Sequence, residues 1–170
     1  MRITGPEPYK LTFTPDAFVV ECHKGTSKFS GIATSKKPKL YIASADGQPI
    51  YVGVTKQPIR NRLRLGWNAE GESGYYGYAW RHKLTEANLD IWCHEDAPSE
   101  MPCLDIETVE AEVVFLIRCA GQWPQYQTEI HFHPSTAVHR DIAASIIARY
   151  ALRPNPAVNP DAPQAARRLP

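Results

Sequence analysis

The sequence predicts an α/β (α+β) fold: a central antiparallel three-stranded sheet flanked by helices, with extra strands before it and a helix after it. Three observations carry that reading. Two β-prone segments, one opening at Tyr41-Ile42 and one at Ile50-Tyr51-Val52, flank an Asp46-Gly47 pair. Such a pair is a strong hairpin signal, because the turn needs residues that tolerate φ > 0. Leu89, Ile91 and Cys93 alternate with Asp90 and Trp92, the period of a half-buried strand. Apolar residues then recur at helical spacing, as in Ile106, Val113, Val114 and Ile117.

Taken in order, Tyr9, Leu11 and Phe13 alternate with polar neighbours and predict a strand, and Ala17 to Val20 is a candidate for another. Lys24 to Lys39 is rich in Lys, Ser, Thr and Gly and reads as a mobile basic loop. After the hairpin, Gly53 closes the second strand and Pro58 suits a first helical position, where its missing N–H costs nothing. Ile59, Arg62, Leu63 and Gly66 then share one helical face.

Residues 66–82 interleave glycines with Tyr75, Tyr76, Tyr78 and Trp80, ending in Arg81 and His82. Aromatics and arginines on a glycine-rich loop can stack on exposed bases, whereas two of Tyr76, Tyr78 and Trp80 are expected simply to pack on the sheet. Glu95 to Pro102 is an acidic, proline-broken connection, and a helix runs from about Ile106 to Cys119 with Asp105 as its cap. Glu129 to His133 alternates as a strand that places Glu129, His131 and His133 on one face. Ser135 or Thr136 caps a final helix, to about Leu152, that packs on the sheet through Ile142, Ile146 and Tyr150. Five prolines from residue 153 onward predict disorder. The implied segments are 1–38, 39–133, 134–152 and 153–170.

A chain of 170 residues is one domain's worth of core. Its net charge of +1 hides an asymmetry. Lys24 to Arg64 carries nine basic residues against one acidic, while Glu95 to Glu112 carries seven acidic residues and no basic one. A basic half suits a phosphate backbone and an acidic segment suits a cation, although solvated charge runs look the same. The four cysteines form no C-x-x-C pair, so a zinc knuckle is not expected. No apolar run approaches the ~20 residues that span a bilayer, and the chain reads as a soluble cytoplasmic protein with reduced cysteines.

The two tyrosines ten residues apart in L-Y-I and Y-V-G, with Arg62 nine residues past Gly53, resemble the GIY-YIG nuclease superfamily. The segment D-G-Q-P-I-Y-V-G is similar to its excision-repair branch. The resemblance covers mainly residues 39–130. It implies a metal-dependent endonuclease acting on DNA, with RNA left open, and a site built from Tyr41, Tyr51, Arg62 and Glu110. Glu110 also lies on the apolar face of its helix, where a carboxylate is costly unless something such as a divalent cation pairs with it. Mg²⁺ or Mn²⁺ is the implied metal.

Arg62 would stabilise charge on the phosphate through its planar fork, and Tyr41 or Tyr51 would orient or deprotonate water. Lys56, Arg60, Arg64, Arg81 and His82 are candidate nucleic-acid contacts. Pro124, Tyr126 and Gln127 resemble the family's Pro-x-Tyr-Asn, so Gln127 is a candidate to support the site, with Glu129 as a reserve acid and His131 as a further neighbour. Three positions depart from the pattern: Lys39 or Leu40 replaces glycine in the first motif, Val54 a lysine, and Gly66 a histidine. The last two remove possible acid–base groups and keep open a catalytically silent nucleic-acid-binding module. No separate recognition domain is visible, which points to weak specificity or to specificity supplied by a homodimer or a protein partner.

Overall fold

A computed structural model describes residues 1–72, 75–97 and 103–152 of the chain. The expected proline-rich tail and part of the acidic connection lie outside those residues. The fold is α+β. Strands β1 (Ile3–Phe13), β2 (Phe18–Cys22), β3 (Lys39–Ala45), β4 (Gln48–Thr55) and β5 (Glu86–His94) form one antiparallel sheet in the order β2-β1-β5-β3-β4. Helices α1 (Ile59–Trp67), α2 (Leu104–Cys119) and α3 (Ala137–Ile147) complete it. No helix among the described residues is long and apolar enough to cross a membrane.

The expected three-stranded sheet β5-β3-β4 is present, but it is part of five strands. β1 pairs with β5 in a register that sets Leu11 opposite Ala87, so the N-terminal strands extend the sheet rather than stand beside it. An unpaired β5 edge would leave a row of backbone groups open, and β1 removes that liability.

The hairpin β3–β4 turns at Asp46-Gly47, both at positive φ, as the turn chemistry predicts. β3 is apolar on both faces because both are covered. On one face Tyr41 and Ala43 join Leu11, Leu89, Ile59, Leu63 and Trp67 in a core with α1. On the other, Leu40, Ile42 and Val52 pack against Ile106, Val109, Val113 and Ile117 of α2, with Ala143 and Ile146 of α3.

Several boundaries differ from expectation, each for a local reason. Pro58 is the residue before α1 rather than its first: its backbone is extended (φ −49°, ψ 135°), and its carbonyl accepts from Asn61 and Arg62. α2 begins at Leu104, with Asp105 inside the first turn, where His139 Nε2 meets its carboxylate at 3.2 Å. α3 follows Thr136, whose N–H donates to His139 Nδ1, and it ends at Ile147. Tyr150 then turns back, its hydroxyl donating to Asp90 of β5 at 2.8 Å.

Residues 129–133 form no strand. The outer edge of β4 is already occupied: Tyr126 N–H donates to Ile50 O, and Gln127 Oε1 accepts from Val52 N–H, both at 2.9 Å.

The basic loop is also more structured than predicted. Gly31–Thr34 forms a 3-10 turn held by the Glu7 carboxylate, which accepts from the Ile32 and Ala33 N–H groups. Lys39 is fully buried at the start of β3, its Nζ donating to the carbonyls of Ser35 (2.7 Å) and Lys37 (2.6 Å). Burial lowers its amine to about 8.

Candidate active site at the sheet edge

The edge of the sheet at β4 lies between α1 on one face and α2 on the other, so side chains from three elements can meet around it. Tyr41 of β3 and Tyr51 of β4 project from the α1 face, with ring centroids 6.0 Å apart. Tyr78 completes the cluster, with its centroid 5.4 Å from Tyr51 and its hydroxyl 3.0 Å from that of Tyr41. Gly53 makes this approach possible. A Cβ there would lie 2.7 Å from the Tyr41 hydroxyl and 2.8 Å from the Tyr51 ring, closer than real contacts allow. The glycine of Y-V-G is therefore a packing requirement of the tyrosine pair.

Arg62 on α1 lies over this cluster, its guanidinium 5.7 Å from the Tyr78 ring and 5.4 Å from the Tyr75 ring, within cation–π range. Burial raises the phenols of Tyr41, Tyr51 and Tyr78 above their ordinary value, while Arg62 pulls each back down. The two sequence candidates differ in access. Tyr41 is fully buried, whereas Tyr51 is half-buried. The field at Tyr51 includes both Arg62 and Glu110.

Glu110 is 5% exposed, and among the described residues no hydrogen bond or ion pair reaches its carboxylate. Burial first, then repulsion by Glu107 one turn earlier, pushes it up to about 8, against a downward pull from Arg62. A buried carboxylate without a partner is costly, and a divalent cation would supply the missing charge. No group of three or more His, Cys, Asp or Glu side chains that could hold a metal occurs among the described residues. A cation here would take one protein carboxylate and keep its waters, a coordination that Mg²⁺ accepts.

Of the other expected site residues, Glu129 stays near enough for its charge to raise Glu110, and the rest separate. Gln127 supports the site from behind: it fixes the backbone of Val52, between Tyr51 and Gly53, and its amide donates to Glu129 O at 2.8 Å. Glu129 and His131 pair with each other at 3.2 Å on the exposed surface. His133 turns instead to Glu107 of α2 at 2.9 Å. With no strand to align them, the three do not converge on one point.

Arg60 and Arg64 are exposed on α1 and line a cavity of about 240 Å³ with Asp16 and Asn68, and Lys56 is exposed just before the helix. Arg81 is buried. Its guanidinium donates to the carbonyls of Gly66 (3.0 Å) and Trp67 at the end of α1, and its Nε donates to His82 Nε2 at 3.0 Å. The carbonyls at a helix C-terminus lack intrahelical donors, and Arg81 supplies them, which turns its charge away from any phosphate. His82 is exposed.

Of the loop aromatics, Tyr78 and Trp80 are buried and Tyr76 is exposed, the two-of-three packing that composition suggested. Tyr78, which the sequence offered either for base stacking or for packing, packs within the tyrosine cluster of the site. The signal for its role was Gly66 on the Arg62 face of α1, where a Cβ would collide with the Tyr78 ring.

No family model matches this chain, and neither a curated protein nor a solved structure matches it.

Proposed function

We propose that this protein is a metal-dependent endonuclease that hydrolyses phosphodiester bonds in DNA. The observation that carries the reading is the convergence, at one sheet edge, of Tyr51 from β4, Arg62 from α1 and Glu110 from α2, whose carboxylate has no hydrogen bond or ion pair among the described residues.

Phosphodiester hydrolysis needs an oriented water and neutralisation of the charge that builds on the phosphate oxygens. Glu110 is the residue that would hold Mg²⁺ or Mn²⁺, which supplies Lewis-acid stabilisation of a phosphate oxygen when bound. Arg62 binds the phosphate through its fork of N–H donors. The rings of Tyr75 and Tyr78 hold that guanidinium in place. Tyr51 orients the attacking water with its hydroxyl, which burial keeps protonated against the pull of Arg62, and the water's proton passes to solvent. Tyr41, buried against Tyr78, positions Tyr51 rather than touching substrate. Arg60, Arg64 and Lys56 extend the phosphate-binding surface along the outer side of α1.

The burial of Tyr41 also favours a second reading, a catalytically silent nucleic-acid-binding module, because only one of the two motif phenols is accessible. Nicking of supercoiled plasmid in Mg²⁺ or Mn²⁺ separates the two. The nuclease reading expects metal-dependent nicking that Arg62→Ala and Glu110→Ala each abolish. Binding without nicking, on single-stranded, duplex and RNA substrates alike, would leave the binding module.

A further inference from the structure

Beside Arg62 lies a cavity of about 510 Å³ lined by residues that include Arg62, Leu65, Asn68, Glu70, Glu72 and Tyr75, and Asn68 also borders the cavity of Arg60 and Arg64. That volume falls within the ~300–1,000 Å³ typical of small-ligand pockets. Its chemistry is mixed in an informative way. Tyr75 and Leu65 offer exposed apolar surface, 39% and 53% exposed, and Tyr76 next in sequence is 72% exposed. Isolated exposed apolar side chains are ordinary, but Leu65 and Tyr75 line a concavity that shares Arg62 with the candidate active site.

Two carboxylates, Glu70 and Glu72, face that cavity, with Arg62 as the one cation in its lining among the described residues. A phosphodiester carries a full negative charge and is repelled by such a rim. A nucleobase is uncharged, has two flat faces for stacking and, in cytosine, adenine and guanine, an exocyclic amino group that donates to carboxylates. The division of charge along α1 therefore sorts a nucleotide into its parts. The scissile phosphate stays with Arg62 at the cavity's edge, neighbouring phosphates belong with Arg60 and Arg64, and the base belongs in the cavity.

Resting on the nuclease reading above, we propose that this cavity receives an unpaired nucleobase bearing an exocyclic amino group, stacked on Tyr75 and hydrogen-bonded to Glu70 or Glu72. The preferred substrate is then DNA with an unpaired nucleotide beside the scissile phosphate, not uninterrupted duplex. In a duplex the base faces are stacked and the edges paired, and extrusion is cheapest where a base is already unpaired.

The test is equilibrium binding in EDTA, by fluorescence anisotropy, to three short duplexes: fully paired, with one bulged dC and with one bulged dT. The wild type should bind the dC bulge ~10-fold tighter than the paired duplex, the scale of one base–aromatic stack, with the dT bulge between them. Tyr75→Ala should bring the dC-to-paired ratio to about one, and Tyr75→Phe, which keeps the ring, should preserve it. A 2-aminopurine bulge should change its fluorescence on binding the wild type, which does not depend on any variant folding. Equal binding of paired and bulged duplexes, or a ratio unmoved by Tyr75→Ala, overturns the base site while leaving nucleic-acid binding intact. Equal binding of dC and dT bulges overturns the role given to the carboxylates. Failure of the wild type to bind any of the three overturns the underlying nucleic-acid reading.

Discussion

The hydroxyls of Tyr41 and Tyr78 lie 3.0 Å apart in the core, each on a side chain at most 2% exposed. Neither phenol loses its proton there, because burial raises both. The pair is thus a neutral hydrogen bond, one hydroxyl donating to the other, and it fixes the wall against which Tyr51 rests.

Tyr41→Phe and Tyr78→Phe should each destabilise the fold by ~1–2 kcal/mol, because each removes the hydrogen bond between the two hydroxyls. The double variant should cost less than the sum of the two, since that shared bond is lost only once. Denaturant unfolding of the four proteins measures that coupling. Under the proposed function, Tyr41→Phe keeps nicking activity within about tenfold, while Tyr51→Phe loses about two orders of magnitude, because the attacking water loses the hydroxyl that orients it. The reverse ranking would assign the water to Tyr41.

Arg81 looks like a phosphate ligand in the sequence and is a structural donor in the fold. Arg81→Ala should therefore lower stability by ~2–4 kcal/mol, from carbonyls left without their charged donor and a buried stem removed. Its effect on salt-dependent DNA affinity, measured on the folded fraction, should be small. Arg60→Ala and Arg64→Ala should do the opposite: little change in melting temperature, and a shallower dependence of affinity on salt by about one ion each. A salt slope that falls with Arg81→Ala would return that side chain to the surface.

What could be read from the sequence is local. Asp46-Gly47 specifies its turn, the alternation in β5 specifies its faces, and α2 follows from its apolar period. Arg62 was found through its spacing from Gly53 in the family resemblance, and Glu110 through that resemblance together with its place on an apolar helix face. The features missed depend on contacts distant in the chain. β1 completes the sheet through residues some eighty positions away, as in Leu11 opposite Ala87. Glu129 to His133 alternates as a strand should, but Tyr126 and Gln127 have already taken the edge it would pair with. Arg81 turns inward because the carbonyls of α1 end beside it, and Tyr78 reaches the site because Gly66 leaves space.

Gly53→Ala tests whether the packing of the tyrosines is the reason for that glycine. The added methyl would meet the Tyr41 and Tyr51 side chains from within 3 Å, and Tyr41, held by Tyr78, has nowhere to move. The expected cost is ~1–3 kcal/mol from overpacking, with a loss of nicking larger than the loss of stability because Tyr51 is the freer ring. Combining Gly53→Ala with Tyr41→Leu, which clears the phenol, should recover part of the stability. Gly53→Ala with unchanged melting and activity would show that the edge strand shifts to absorb the methyl.

Glu110 should leave a signature in the pH dependence of stability of the metal-free protein. Its folded pKa is about 8, above the ~4.3 of an unfolded glutamate. Between those values the native state binds a proton that the unfolded chain has released, so stability falls as pH rises from about 4.5 through 8. The loss across that window is on the order of a few kcal/mol. Glu95 and Asp96 have lowered pKa values and act below the window, while Lys39, at about 8, acts at its upper end and beyond. Melting temperatures between pH 5 and 7.5 in EDTA should thus decline in the wild type and stay nearly level in Glu110→Gln, a neutral side chain of similar shape. Mg²⁺ added at pH 7.5 should raise the melting temperature of the wild type and leave Glu110→Gln unchanged, because binding to the native state alone shifts the folding equilibrium. A wild-type profile already level across this range would mean that the carboxylate is ionised and satisfied without a cation. That result would remove the main physical reason for placing one there.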